Sequence, residues 1–496
     1  MARTPRSVDI PALGQLDRAA GQLCRQLAQA LRDAIRRGDV RAGEPLPASR
    51  QLAQALGIAR GTVIEAFEQL IAEGFLESRG RTGTWVARAL SIPAGLDAAA
   101  PAARLPESAA RFARIAADFS PLPSVPFAVS VPGGATLPDA AWRRLANRLR
   151  ASGVAGPAGY GDPRGVSALR EAIADYVRRS RSVRCEASQV IVTSGTQQGL
   201  YLACQVLLGQ GDRAWVENPA YRGITAILES LGRGDAIVRV PVDADGIDVA
   251  AGRAAAREAR AAFVTPSHQY PLGMPLSIGR RRALLDWARE HDAWVVEDDY
   301  DSELRYAGHP FPAMQGLDPA RVVYLGTFSK ILFPSLRLGY AIVPPSLVTA
   351  FLGARVLMDR HAPTLEQHVL AAFIAEGHLD RHIRRVRGVY AARREQLIAV
   401  LDAALPRDIA WREPSDQGMH LVLWLAARLD DRHVAALAAA AGVAVRPVSP
   451  MYASGTARPG LVLGFGGFET ARMTAAAHTL ASVILAAAQA CPVARG

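Results

Sequence analysis

A chain of 496 residues is too long for one ordinary domain; two to four are expected. Hydrophobic residues make up 50% and charged residues 21%, which excludes wholesale disorder, and the formal net charge of +11 points towards a polyanionic partner without requiring one. The four cysteines, Cys24, Cys185, Cys204 and Cys491, lie too far apart for a disulfide framework or a zinc pattern. Arg3 and Arg6 are not followed by an apolar run, so no signal peptide is expected and the chain is read as cytoplasmic.

Residues 1–88 are arginine-rich. Apolar residues at 23, 27, 31 and 35 predict a helix from Leu23 to Arg37, stopped by Gly38. A second helix over about 49–56 ends at Gly57, and a third over about 60–73 turns Val63, Phe67 and Leu70 inward. Two helices joined by a short glycine-containing turn make a helix-turn-helix. Arg60, Gly61, Thr62 and Ile64 then fall at the end that meets base edges in such motifs. Phe75–Ser78 and Thr84–Ala87 flank Arg79-Gly80-Arg81-Thr82-Gly83, a β-hairpin with a basic tip. The net charge of residues 1–90 is only about +4, so one copy should bind phosphates weakly and salt-sensitively.

Residues 89–125 are rich in Ala and Pro and read as a linker. From 126 to 380, Val190–Val192, Ala261–Val264, Ala293–Val296 and Val322–Leu325 alternate with helical patterns, as in a parallel sheet buried on both faces. Residues 381–496 read as a smaller α+β subdomain, with strand-like runs at Met419–Leu425, Val443–Val448 and Leu461–Leu463. The uncharged stretch Met473–Val493 carries Thr474, His478, Thr479, Ser482 and Gln489. It reads as a packed terminal helix, not a membrane span.

Lys330 is the one lysine of the chain; every other Lys/Arg position is arginine. Arginine replaces lysine as a surface charge but not as an amine that must lose its proton and attack a carbonyl. Lys330 closes Gly326-Thr327-Phe328-Ser329-Lys330 after a predicted strand, where open α/β sheets place ligands. Thr327, Ser329 and Arg337 can meet one anion there, and the leucines flanking Arg337 favour a partly buried guanidinium. Glu297-Asp298-Asp299-Tyr300-Asp301 ends another strand, a costly cluster unless a cation or a ligand nitrogen waits for it. Metal is the rival reading of these acids, but Lys330 argues against it. A pyridoxal phosphate site needs these parts: an amine, a carboxylate for the ring nitrogen, a phosphate cradle and an aromatic face. Asp298 suits the nitrogen and Tyr300 the ring hydroxyl. Gly195-Thr196-Gln197 opens a helix after a strand, and Tyr221 follows a Pro turn.

Two resemblances organise these parts. Residues 20–88 closely resemble the GntR-type winged helix, through Leu46-Pro47-Ala48-Ser49-Arg50, Leu56-Gly57, Arg60-Gly61-Thr62-Val63 and the glycines at 74, 80 and 83. That implies contacts to double-stranded DNA from Arg50, Arg60, Gly61, Thr62, Arg79, Gly80 and Arg81. Ala59 stands where the family usually has Ser or Thr, which weakens the helix cap. The remainder resembles fold-type I aminotransferases, which implies an internal aldimine at Lys330 and Asp298 on the ring nitrogen. It also implies Tyr221 stacked, and Gly195, Thr196, Gln197, Thr327 and Arg337 at the phosphate. Tyr160 matches the tyrosine that reaches the partner subunit's phosphate, which implies a homodimer. Tyr270, in Ser267-His268-Gln269-Tyr270-Pro271, replaces an asparagine, so the ring-hydroxyl contact is altered or lost.

Together the two halves resemble the MocR family of bacterial regulators. The implied function is a transcription regulator that uses pyridoxal 5′-phosphate to sense a small amine, an amino-acid-like effector, or the cofactor itself. The alternative is a working aminotransferase with an accessory DNA-binding domain. Val462 occupies the position where aminotransferases hold the substrate carboxylate with an arginine; Arg458 is the nearest replacement in the sequence. This weighs against efficient turnover.

Overall fold

The structure, a computed structural model, describes residues 13, 16–88, 106–119, 125–129, 131–132, 139–154, 159–453 and 457–490. The chain forms two compact units, residues 1–105 and 106–496. Residues 89–105 and 120–124 of the expected linker, and the side chain of Arg81, lie outside the described residues.

In the first unit, α1 (Leu23–Arg37), α2 (Ser49–Leu56) and α3 (Arg60–Ala72) precede the hairpin β1 (Leu76–Ser78) and β2 (Thr84–Val86). Gly38 and Gly57 end α1 and α2 with φ of 79° and 62°, conformations that cost glycine little. Leu27, Leu31, Ile35, Val63, Phe67, Leu70, Leu76 and Val86 form the core. Arg32 on α1 grips Glu73, just past α3, through both carboxylate oxygens and so ties the two helices together.

The second unit starts with α4 (Glu107–Asp118), inside the stretch expected to be a linker. Pro106 ends the proline-rich part, and the following twelve residues contain neither Pro nor Gly, so a helix is allowed. None of its residues is buried. It is held by polar contacts instead: Arg111 donates to the Glu229 carbonyl at 2.7 Å, and Arg222 donates to Asp118 at 2.9 Å.

Helices α5 (Asp139–Ala151), α6 (Ser167–Arg181), α7 (Thr196–Leu207) and α8 (Arg222–Ser230) surround a mixed sheet. Its strands are β3 (Val190–Thr193), β4 (Ala214–Asn218), β5 (Ile237–Asp243), β6 (Gly246–Ile247), β7 (Ala261–Val264), β8 (Trp294–Asp299), β9 (Val322–Thr327) and β10 (Gly339–Ile342). The order is β3-β10-β9-β8-β7-β4-β5-β6. Strands β5, β4, β7, β8 and β9 run parallel. The four runs expected in a parallel sheet, now β3, β7, β8 and β9, share one direction, while β10 pairs antiparallel with both β3 and β9 and the short β6 is antiparallel to β5. Gly339-Tyr340-Ala341-Ile342 is a fully buried run, and such a run has no alternation to mark its direction. Trp215 and Trp287 stack at 3.8 Å in one of the cores flanking the sheet.

The smaller subdomain carries β11 (Ala410–Trp411), β12 (His420–Leu425), β13 (Arg446–Pro447) and β14 (Gly460–Gly464), in the antiparallel order β11-β12-β14-β13. The strand expected over Val443–Val448 shrinks to two residues. The helix Thr470–Ala490 is the one described helix long and apolar enough to cross a membrane. It packs instead against the helix His378–Ala404 and buries Met473, Leu480 and Ile484 in the subdomain core.

Candidate functional site

In the winged-helix unit Arg50 and Arg60, both expected to meet DNA, are exposed. Arg50 lies in the first turn of α2 and Arg60 opens α3, where its Nε donates to Ser49 at 3.4 Å. Gly61 is exposed and Thr62 half-buried on the same first turn of α3. Ala59 caps α3 with extended backbone and no side-chain hydrogen bond. Gly80, at φ 57°, opens the 3-10 turn Gly80–Thr82 between the hairpin strands. Arg79 behaves differently from Arg50 and Arg60. It pairs with Glu77 and lies 4.7 Å from the centre of the Trp85 ring, so its charge is partly used within the hairpin.

In the second unit the C-terminal ends of β3, β8 and β9 open at one edge of the sheet, and antiparallel β10 begins there. Gly339 pairs with both Thr193 and Thr327. This brings Gly195-Thr196-Gln197, Thr327-Phe328-Ser329-Lys330 and Arg337 together from three parts of the chain. A Cβ on Gly339 would lie 2.7 Å from the Gly195 Cα and 2.7 Å from the Gly326 carbonyl, so backbone packs directly on backbone. Gly195, at φ 101°, leads into α7, whose first N–H groups favour an anion. Arg337 donates to the Ser194 carbonyl and passes within van der Waals reach of Gly195. Expected to be partly buried, Arg337 is exposed: a left-handed φ of 50° turns it outward while Leu336 and Leu338 go inward. The Thr327 hydroxyl accepts the Ser329 N–H at 3.2 Å. The Ser329 hydroxyl is buried without a partner among the described residues.

The acids at the end of β8 are resolved by their partners. Glu297 accepts the Met314 and Gln315 N–H groups, each at 3.0 Å, and is structural. Asp299 takes Arg181 at 2.8 Å, Tyr324 at 2.6 Å and Ser302 at 2.9 Å. Asp301 accepts from His268 Nδ1 at 2.9 Å. The Oδ1 atoms of Asp298, Asp299 and Asp301 are all buried without a partner among the described residues, but Asp298 alone of the three makes no side-chain hydrogen bond through its other oxygen either. Burial, then the neighbouring Asp299, pushes its carboxyl up to about 7, against the pull of Lys330. Half-buried Lys330 is drawn down by burial to about 8, against Asp301 and Asp298.

Tyrosines line the other side. The Tyr221 hydroxyl donates to Gln197 at 3.0 Å, and its ring meets Tyr270 edge-on at 6.0 Å. A Cβ on Gly223 would sit 2.0 Å from the Tyr221 ring, so the glycine makes room for that orientation. Tyr270 is also edge-on to Tyr300, at 6.3 Å. The Tyr300 oxygen lies 3.1 Å from His268 Nδ1. A carboxylate has no hydrogen to give, so the hydrogen shared with Asp301 belongs to that nitrogen, and the Tyr300 O–H is left to donate elsewhere. Tyr160 is 78% exposed, with Arg360 4.1 Å from its ring centre.

Three features escaped the sequence reading. Arg181, fully buried, neutralises Asp299 and also donates to Ser267 at 2.7 Å. His268, Asp301 and His420 form a buried cluster whose ligand-type atoms lie within 4.8 Å of one another. Burial, then His268, holds His420 well below the usual histidine range, and its Nε2 lies 3.0 Å from the Pro271 carbonyl oxygen. Burial raises the Tyr270 hydroxyl, and the positive charge of nearby Arg446 acts against that rise. The signal for Arg446 was there, a lone charge inside the apolar run Val443–Val448. Arg458, the nearest replacement suggested by sequence, lies outside β14 and stacks on Trp424 at 4.0 Å.

Comparison with known proteins agrees with this geometry. Residues 23–86 match the bacterial regulatory proteins of the gntR family, and residues 126–483 match aminotransferase class I and II. The chain is 38% identical over 478 residues to the probable rhizopine catabolism regulatory protein MocR of Rhizobium meliloti, covering 95% of this chain and 96% of that one. It is 34% identical over 446 residues to the pyridoxine biosynthesis transcriptional regulator PdxR of Corynebacterium glutamicum, covering 90% and 92%. The α-aminoadipate aminotransferase LysN of Thermus thermophilus, solved with N-(5′-phosphopyridoxyl)-L-leucine, is 25% identical with a TM-score of 0.69, over 77% of this chain and 97% of that one. The class I and II aminotransferase fold implies pyridoxal 5′-phosphate, and among the buried oxygens without a partner in the described residues, those of Asp298 and Ser329 fit its two polar ends. The chain belongs to the MocR-type, GntR-family transcriptional regulators that carry an aminotransferase-like domain.

Proposed function

We propose that this regulator senses a small amine at the Lys330 site and that the state of the site alters its binding to a double-stranded DNA operator in the cytoplasm. The observation that supports this most is the buried Asp298 carboxyl, which makes no side-chain hydrogen bond among the described residues and lies within electrostatic reach of the chain's one lysine. In this reading Lys330 carries the cofactor, Asp298 holds a proton at the ring nitrogen, and Tyr300 donates to the ring hydroxyl. Gly195, Thr196, Gln197, Thr327, Ser329 and Arg337 cradle the phosphate; Tyr221 and Tyr270 wall the ring. Bound pyridoxal phosphate supplies an electrophilic carbon that an amine can compete for. Arg50, Arg60, Gly61, Thr62 and the wing residues Arg79, Gly80 and Arg81 face DNA.

A homodimer fits the surface around Tyr160. Leu357 is 90% exposed, beside Val356 and Met358, more apolar surface than an isolated chain needs at one place. A second copy covers this patch and brings two winged helices to one operator.

The test pairs two measurements on the purified, cofactor-loaded protein: the visible spectrum, and a mobility shift on DNA selected from random sequence, each titrated with amines. A spectral shift and a change in DNA affinity at the same amine concentration support a sensor. A spectral shift with unchanged DNA affinity overturns it. Steady conversion of a keto acid to an amino acid moves the working aminotransferase to first place.

A further inference from the structure

Arg446 and Val462 are direct cross-strand partners on β13 and β14. Antiparallel partners point to the same face of a sheet, with Cβ atoms about 5 Å apart. Val462 packs with Tyr270, Val422, Trp424 and Val448, and Tyr221 and Tyr300 border that cluster. The face that carries Arg446 is therefore turned towards the aromatic wall of the Lys330 site. The charge of Arg446 acts on Tyr270, Lys330 and Tyr221. The guanidinium is exposed, and no ion pair joins it to a carboxylate among the described residues. Arg458 cannot serve the same place: it is sandwiched by Trp424 and Trp411 and lies 3.4 Å from Glu413. Arg446 is thus a permanent cation at the rim of the site with most of its five N–H groups unspent.

We propose that Arg446 anchors the acid group of the effector: the site takes a small amine that also bears a carboxylate, and the arginine has moved from β14 to the edge strand β13. Neighbouring strands lie about 4.8 Å apart, so the acid group is held to one side of the place that an arginine at 462 would serve. Two parallel N–H groups of a guanidinium match the two oxygens of a carboxylate, whereas an alkylamine gains nothing there. Val462 makes the floor beneath the carbon chain apolar. This assignment rests on the reading of Lys330 as the cofactor-bearing amine.

The experiment uses full-length protein loaded with pyridoxal 5′-phosphate, with Arg446→Gln and Arg446→Lys beside it. Each is titrated with L-alanine, glycine, β-alanine, 4-aminobutanoate and 5-aminopentanoate, and with the alkylamines of equal chain length, while the visible spectrum is recorded. In the parent at least one amino acid acts at a concentration about tenfold or more below its alkylamine. Arg446→Gln removes that preference, a loss of about 10- to 100-fold for the amino acid, and leaves the alkylamine response unchanged. Arg446→Lys keeps part of it, because the charge stays and the fork is lost. Equal response to amino acids and alkylamines in the parent, or a preference that survives Arg446→Gln, overturns the proposal. A parent without a visible band overturns the reading of Lys330 and this proposal with it. The variants keep Lys330 and Asp298, so the band itself is expected in all three proteins.

Discussion

The two units of this chain handle charge in opposite ways. The winged helix sets Arg50 and Arg60 in solvent at the starts of α2 and α3. The aminotransferase-like unit drives Glu297, Asp298, Asp299 and Asp301 into the end of one strand, all buried, and sets Arg181 and Lys330 among them. A surface that recognises a polyanion needs long-range attraction, which exposed cations supply. A site that must hold or release protons at chosen atoms uses desolvation, the largest cause of the shifts at Asp298 and Lys330, together with the charges set beside them.

The sharpest way to break this contrast is at Lys330. Lys330→Ala and Lys330→Arg should each abolish the visible band of the cofactor-loaded protein completely, though the second keeps the charge; a remaining band in either would show that the amine is not the attachment point. Borohydride reduction followed by peptide mapping should label the Lys330 peptide alone among side chains. Next in size is the buried pair. Arg181→Met strands Asp299 without its cation, at a cost of about 3–5 kcal/mol in the stability of the second unit, read from denaturant unfolding. The equivalent loss of an exposed arginine from the winged helix should be negligible for stability.

The acid cluster also predicts a pH dependence. Burial raises Glu217, Glu297, Asp298 and Glu303 each to about 7. Raised acids hold more protons folded than unfolded, so the cofactor-free protein should lose stability as pH rises from about 4 to 7, by up to about 1.4 kcal/mol per pH unit for each group. Asp298→Asn should flatten that fall in thermal midpoints taken across the range; an unchanged slope would mean that Asp298 is not desolvated. On the DNA side, Arg50→Ala or Arg60→Ala should weaken operator binding by about 1–3 kcal/mol with the visible spectrum untouched. The smallest effect expected is Ala59→Ser. The extended backbone at the start of α3 already suits a capping serine, so melting of the winged-helix unit should be stabilised by about 0.5–1 kcal/mol.

The winged helix was legible almost to the residue, because its helix ends are written in local chemistry: Gly38 and Gly57 stop α1 and α2. The parts of the candidate site stood out in the sequence, since lysine, the acid run and the small-residue turn each carry a chemical demand, and the sheet brings them together. What escaped was set by distance along the chain. Nothing local pairs Arg181 with Asp299, 118 positions away. Nothing local tells that β10 runs antiparallel, or that Arg446 stands beside Val462. Helix α4 escaped for another reason: the prolines around it drew attention from a run rich in alanine that favours a helix.

The close approach of Gly339 to Gly195 and Gly326 has an evolutionary consequence. With backbone against backbone there is no side chain to trade, so the loops that it locks together cannot drift one at a time. The edge strand β13 is under no such backbone constraint: Arg446 is exposed at the rim and meets the site through its side chain. A lineage built on this scaffold can therefore retarget its regulators by substitutions at the rim while the floor of the site stays fixed, which makes recognition the part of the molecule that evolves first.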